Sequence, residues 1–245
     1  DQLHCFPYFI PLPTSFSRPQ FCQHRGRRAL QRCEASLYQK LLYLCTALDV
    51  QPVCFILSIF ALLIYSLSKQ HKFCIAVVCS RRVNAKLKDT VGFVANTLIC
   101  SFTSDILNRP FEELLEYTQS WHDKAQKHGC IPFSALVKIW GYESQPANHF
   151  PQFVLNFISD FKPHTFQLGD SISTTPITVD TYTSKAELLL DVTLSEELGL
   201  SYTWEYDTHI FTDEAIEHCI GKEYLTLLYQ YFHYFGVKID NPITF

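Results

Sequence analysis

His209 and Asp213 stand four positions apart, and a His-x-x-x-Asp spacing suits a general base whose carboxylate partner holds the imidazole tautomer. Here the acid also falls in the first turn of a predicted helix behind Thr212, where a carboxylate is favoured by the helix dipole alone. Glu214, not Gly, follows it. We therefore read Asp213 as a helix residue and His209 as non-catalytic. A second polar pair, Asn96 and Thr97, interrupts the apolar run Val91-Gly92-Phe93-Val94-Ala95-Asn96-Thr97-Leu98-Ile99-Cys100. Read as a strand, that run is buried on both faces. A buried amide without partners costs roughly 1–3 kcal/mol, so Asn96 is either a fixed structural bridge or a group facing a wet internal channel. Residue type alone favours the bridge. The basic cluster His24-Arg25-Gly26-Arg27-Arg28 with Arg32 could meet a phosphate or an acidic partner, but we favour a solvated turn and edge strand.

The remaining chemical possibilities are narrow. The ten cysteines, at 5, 22, 33, 45, 54, 74, 79, 100, 130 and 219, form no Cys-x-x-Cys pair and mostly sit in apolar runs. Such thiols behave as small hydrophobes, and we expect them reduced, in a cytoplasmic protein with no metal site. No phosphate loop, dinucleotide-binding glycine motif, Gly-x-Ser-x-Gly or His-Glu-x-x-His is present.

The elements that must position these residues alternate along the chain. Residues 1–33, with Pro7, Pro11, Pro13 and Pro19, read as an irregular lead-in or linker. Leu37, Leu41, Leu44, Cys45 and Leu48 recur at helical spacing over Glu34–Asp49. Val53–Leu67 is a helix apolar nearly all round. Its 15 residues fall short of the roughly 18–20 that cross a bilayer, so we expect a buried central helix. Strands are expected over Phe73–Cys79 and Val91–Phe102, and a helix from Asn108–Pro110 to Gly129 with matching charges at both ends. Its predicted inner stripe is Phe111, Leu114, Leu115, Thr118, His122 and Ala125. A short helix runs from Pro132-Phe133 to Trp140. Strands follow over Gln152–Ser159 and Thr174–Thr183. Ala186–Leu194 and Leu200–Tyr206 form a hairpin in which Leu200, Tyr202, Trp204 and Tyr206 share a face. Thr212 caps the last helix, with Ile216, Cys219, Ile220, Leu227 and Leu228 inward. Interleaved helices and strands imply an α/β layered sandwich.

Bulk composition fits an ordinary folded protein: 47% hydrophobic, 15% aromatic and a net charge of −4. We expect neither a disordered chain nor a nucleic-acid or membrane partner. The chain starts at Asp1 and has no Met, which implies a fragment, a processed chain or a sequence written without modified methionines.

Four stretches together resemble the condensation domains of nonribosomal peptide synthetases, in the chloramphenicol-acetyltransferase-like superfamily. Leu12–Pro19 (Leu-Pro-Thr-Ser-Phe-Ser-Arg-Pro) looks like the segment leading into that family's C-terminal lobe. Val91–Thr97 resembles its Val-Gly-x-Phe-Val-Asn-Thr strand, with Arg82 where the family has an Arg ten residues before the glycine Gly92. His128-Gly129-Cys130-Ile131-Pro132-Phe133-Ser134 is similar to His-Gln-Asp-Val-Pro-Phe-Glu, with Gln, Asp and Glu replaced. Glu205-Tyr206-Asp207-Thr208-His209-Ile210-Phe211 resembles the terminal Glu-Tyr-x-Thr-x-x-Phe.

The resemblance implies a two-layer sandwich of mixed sheet and helices, with 34–245 as the C-terminal lobe of a condensation-type domain. The family's catalytic His-His-x-x-x-Asp-Gly belongs to the N-terminal lobe and does not occur in this sequence, so no catalytic residue is assigned. By resemblance Asn96, Thr97, Gly92 and Arg82 would face a substrate tunnel, while His128, Pro132, Phe133, Glu205 and Tyr206 carry structural motifs. The implied reaction joins a carrier-bound acyl or aminoacyl thioester to an acceptor amine. The implied partners are an N-terminal lobe, neighbouring synthetase domains and carrier proteins bearing phosphopantetheine, with no cofactor bound directly. The Arg-Asp-x-Ser-Arg-Asn-Pro-type motif is not recognisable around Asn148–Pro151. A non-catalytic carrier-docking relative is the alternative reading, and an epimerisation lobe the third.

Overall fold

The computed structural model describes residues 7, 9–19, 23–82, 85–141, 150–159, 166–168, 172–174, 177 and 179–238. Its first half runs β1 (Gly26–Arg32), α1 (Ala35–Ala47), α2 (Pro52–Ser68), β2 (Lys72–Ser80), α3 (Ala85–Lys88), β3 (Ala95–Thr103), α4 (Ser104–Leu107), α5 (Phe111–His128) and α6 (Phe133–Ile139). The second half runs β4 (Phe153–Ile158), β5 (Phe166–Leu168), β6 (Ile172–Thr174), β7 (Leu188–Ser195), β8 (Gly199–Asp207), a π-helical stretch Ala215–Gly221 and α7 (Lys222–Tyr234).

Six strands form one mixed sheet in the order β1-β8-β7-β4-β2-β3. The β1/β8, β8/β7 and β2/β3 pairs are antiparallel, and β4 lies parallel to both neighbours. Helix α2 fills the space behind it. A helix apolar on every side must be enclosed, and here Phe60 meets Trp204 of β8 at 5.9 Å, while Phe55 meets Phe111 and Phe232 at 5.6 and 5.7 Å. Its one buried hydroxyl in that contact, Ser58, donates to the Cys54 carbonyl at 2.9 Å and pairs with the Thr118 hydroxyl at 3.0 Å. No single helix among the described residues is long and apolar enough to cross a membrane.

Strict alternation sends Leu200, Tyr202, Trp204 and Tyr206 into this core, as their spacing predicts. The helix layer thus covers one face of the sheet. Among the described residues, the apolar groups of the opposite face form a small cluster of Ala76, Val154, Ala186 and Leu189, with Val78 and Ile99 against it. This is an α/β two-layer sandwich.

Three expectations for the strands and the lead-in differ from the structure. The strand expected over Val91–Phe102 begins only at Ala95, and Val91 and Phe93 are 101% and 93% exposed. Gly92, at φ 146°, bends the chain ahead of it. β3 is also an edge strand over an open face, so only Leu98, Cys100 and Phe102 are buried. Second, the lead-in is not separate from the rest of the fold: Ile10 and Leu12 join the core and Gly26–Arg32 is the sheet's other edge strand. Proline spacing hides this anchor, because it is made by side chains. Glu187, 2% exposed, accepts from Arg18 Nε and Nη2, both at 3.1 Å, and from Gln152 Nε2 at 2.8 Å. Third, the strand expected over Thr174–Thr183 falls partly outside the described residues. At its described end the Asp180 carboxylate accepts from the Tyr182 amide at 2.8 Å, and Thr183 makes an isolated bridge with Arg25.

Candidate functional site in the open sheet face

Register fixes what the uncovered face presents. One rung across the sheet sets Thr97, Val78, Asn156, Asp191 and Thr203 side by side. The next sets Ile99, Ala76, Val154, Leu189, Glu205 and Arg28 in line. Polar groups therefore gather over β4, β7, β8 and β1, and the apolar ones over β2.

Those polar groups neutralise one another. Arg28 Nη2 donates to Asp191 Oδ2 at 2.9 Å, and Asn156 Nδ2 donates to Asp191 Oδ1 at 3.2 Å. Glu205, 2% exposed, accepts from the Lys185 backbone N–H at 3.0 Å and lies 3.2 Å from its ammonium. The Arg28 Nε sits 4.0 Å from the same carboxylate. Burial pushes the Asp191 carboxyl above the usual range, opposed by the Arg28 charge and the Asn156 amide.

Asn96 resolves the question its sequence context raises. Its amide nitrogen donates to the carbonyls of Gly129 at 2.9 Å and Ile131 at 2.7 Å, and its oxygen accepts from the Phe133 N–H at 3.1 Å. It ties the start of β3 to the turn between α5 and α6, and so positions Pro132 and Phe133. Phe133 in turn stacks on Phe150 at 5.9 Å, next to β4. Gly129 leaves room there for Arg81, whose Nη1 would meet an added Cβ at 2.7 Å.

Arg82 is likewise a brace. Its Nη1 donates to the carbonyls of Leu87, Lys88 and Thr90 at 2.7, 3.3 and 2.6 Å, and its Nη2 to Gly92 at 3.1 Å. One guanidinium thereby gathers four carbonyls of the stretch from Leu87 to Gly92.

Above the sheet face these pieces enclose an open cavity of about 580 Å³. Asn96, Thr97, Pro132, Phe133 and Ser134 line it on one side, Asn156, Lys185, Asp191 and Glu205 on the other, with Phe93, Ala95, Val78 and Leu189 between. A second compartment of about 430 Å³ adjoins it, lined by Arg82, Gly92, Phe93, Val94 and the end of β4.

Of the residues singled out in the sequence, Asn96, Thr97, Pro132, Phe133 and Glu205 meet in the first compartment and Arg82 and Gly92 in the second. His128 is exposed at the end of α5 and lies outside both linings. Tyr206 faces the helix layer, where its hydroxyl donates to Asp213 Oδ1 at 2.7 Å. Asp213 also pairs with Arg27, and His209 Nδ1 lies 3.1 Å from Asp207 instead. The His-x-x-x-Asp pair is thus not a unit. Sequence reasoning missed Asn156, Lys185 and Asp191 and undervalued Arg28. The signal was available: Asn156 and Asp191 each interrupt an apolar strand, as Asn96 does.

The family model for the condensation domain matches residues 2–233. The chain belongs to the condensation domain family. Malpinin synthetase from Mortierella alpina is 25% identical over 223 residues, which is 91% of this condensation-domain chain and 3% of the synthetase. Tyrocidine synthase 2 from Brevibacillus parabrevis is 25% identical over 219 residues, 89% of the chain and 6% of that protein. Among solved structures, a four-domain nonribosomal peptide synthetase bound to AMP and glycine superposes with a TM-score of 0.84 at 18% identity, over 94% of this chain and 18% of that one. The condensation domain of the monacolin K polyketide synthase does so at 0.75 and 17%, over 91% of this chain and 50% of that one. The chain therefore spans about half of a solved condensation domain and a few per cent of the curated synthetases.

Proposed function

We propose that this chain is the C-terminal lobe of a condensation domain that joins a carrier-bound acyl or aminoacyl thioester to an acceptor amine. The observation that carries the reading is the open cavity of about 580 Å³ over the sheet face opposite the helix layer. Coverage of 50% of a solved condensation domain supports a second lobe on the open side. On this reading the lobe supplies a wall: Asn96 holds Pro132 and Phe133 in place, Thr97 and Ser134 offer hydroxyls to a thioester or amide, and the charged cluster forms a neutral polar floor. The proton-transferring imidazole comes from the other lobe, and phosphopantetheine arms of carrier proteins deliver both substrates. The test is amide formation by the complete parent protein given acyl-loaded and aminoacyl-loaded carriers; absence of product counts against it.

A non-catalytic, carrier-docking relative is the second reading, favoured by the replaced Gln, Asp and Glu in the stretch around Pro132-Phe133. Capture of carrier protein without turnover selects it. An epimerisation lobe ranks third: the epimerisation domain of tyrocidine synthetase B shares the fold, with a TM-score of 0.70 at 14% identity.

A further inference from the structure

We infer that Phe93 is a partition residue that sets how long an acyl group the cleft admits. The two compartments share Val78, Phe93, Ala95 and Asn156. Val78 and Asn156 are cross-strand partners on β2 and β4, and Ala95 opens β3, so three of the four shared residues are sheet. They form a continuous floor beneath both compartments. Phe93 is the one shared residue outside the sheet, and on this inference it stands between them.

Its surroundings fit that role. Gly92 is held by Arg82 at 3.1 Å, and the Val94 carbonyl accepts from the Arg81 N–H at 3.0 Å. The backbone is therefore pinned on both sides of Phe93, while its own side chain is 93% exposed and lies outside both core clusters. The compartments also differ in lining. The first sets Thr97, Asp191 and Glu205 beside Leu189, Pro132 and Phe133, whereas the second sets Val94 and Ile158 beside Ser80, Arg82 and Ser159. An acyl thioester with its carbonyl over the polar floor would run its tail past Phe93. This rests on the reading of the cleft as a thioester site.

The test uses the full-length protein containing this chain, with Phe93, Phe93→Ala and Phe93→Trp. Binding of acyl-pantetheine thioesters of increasing chain length is followed by calorimetry. Amide formation with loaded carriers is followed separately. Each methylene that finds a buried place should tighten binding roughly fourfold. We expect this gain to stop at a defined length in the wild type, to continue past it in Phe93→Ala, and to stop earlier in Phe93→Trp. One common stopping length in all three proteins, or no thioester binding at all, overturns the inference. Amide formation with a length profile indifferent to residue 93 overturns it while leaving the condensation reading intact. A stopping length that moves with residue 93 without amide formation upholds it and rejects condensation.

Discussion

Asn96 Oδ1 accepts the backbone N–H of Phe133 at 3.1 Å, across 37 positions of sequence, while its Nδ2 holds the two carbonyls just before. A single side chain thus fixes the first turn of α6 against the edge of β3, and with it one wall of the cavity. Replacing Asn96 by Ala should destabilise the protein by about 1–3 kcal/mol, since three backbone groups lose a partner. Denaturant unfolding of wild type and variant measures it. An Asn96→Asp variant should also be weakened, because a carboxylate would face the carbonyls of Gly129 and Ile131.

Glu187 makes the corresponding tie for the N-terminal segment. Removing it by Glu187→Ala leaves Arg18 without its carboxylate and Gln152 without one acceptor, at a cost of about 3 kcal/mol. Limited proteolysis should then cut between Pro11 and Pro19 well before the sheet unfolds. Cleavage at the wild-type rate would contradict this anchor.

Gly26 has no space for a side chain. An added Cβ would lie 2.6 Å from the Ser184 nitrogen and from the Thr183 carbonyl carbon, both backbone atoms. Gly26→Ala should therefore loosen the start of β1 and cost about 1–3 kcal/mol. Thermal unfolding is the measurement.

Two aspartates should pull stability in opposite directions with pH. Burial raises the Asp191 pKa, so its protonated form favours the folded state, and that contribution is lost as pH rises through the folded value. Asp213 is lowered, chiefly by the Tyr206 hydroxyl hydrogen bond with Arg27 assisting. Its contribution is present above the usual carboxylate range and is lost as pH falls through the depressed value. Unfolding free energies of Asp213→Asn and wild type should therefore converge in acid and separate towards neutrality. In Asp191→Asn the wild-type loss on raising the pH through the carboxylate range should be absent.

Much of this architecture was legible from residue spacing, and the gaps have physical causes. The apolar α2, the hairpin face of Tyr202, Trp204 and Tyr206, and the Thr212 cap, which accepts the Ala215 N–H at 3.2 Å, all follow from local periodicity. Cys219 did not follow it. The π-helical stretch carries more residues per turn, so the buried positions become Ile216, Ile220, Tyr224, Leu228 and Phe232, and Cys219 turns to solvent. The site was half legible. Asn96 and Phe133 stand out as residue types, but the floor of Arg28, Asn156, Asp191 and Glu205 depends on a strand order that no single stretch encodes.

The central claim is that this sheet face is one half of a reaction chamber, and Thr97 is part of its lining. Thr97→Trp would fill that space from an edge strand without touching the helix-side core. In the full-length protein with loaded carriers, the account predicts amide product from wild type and its loss from Thr97→Trp, with an unchanged unfolding transition. Product formed by Thr97→Trp at the wild-type rate would contradict it.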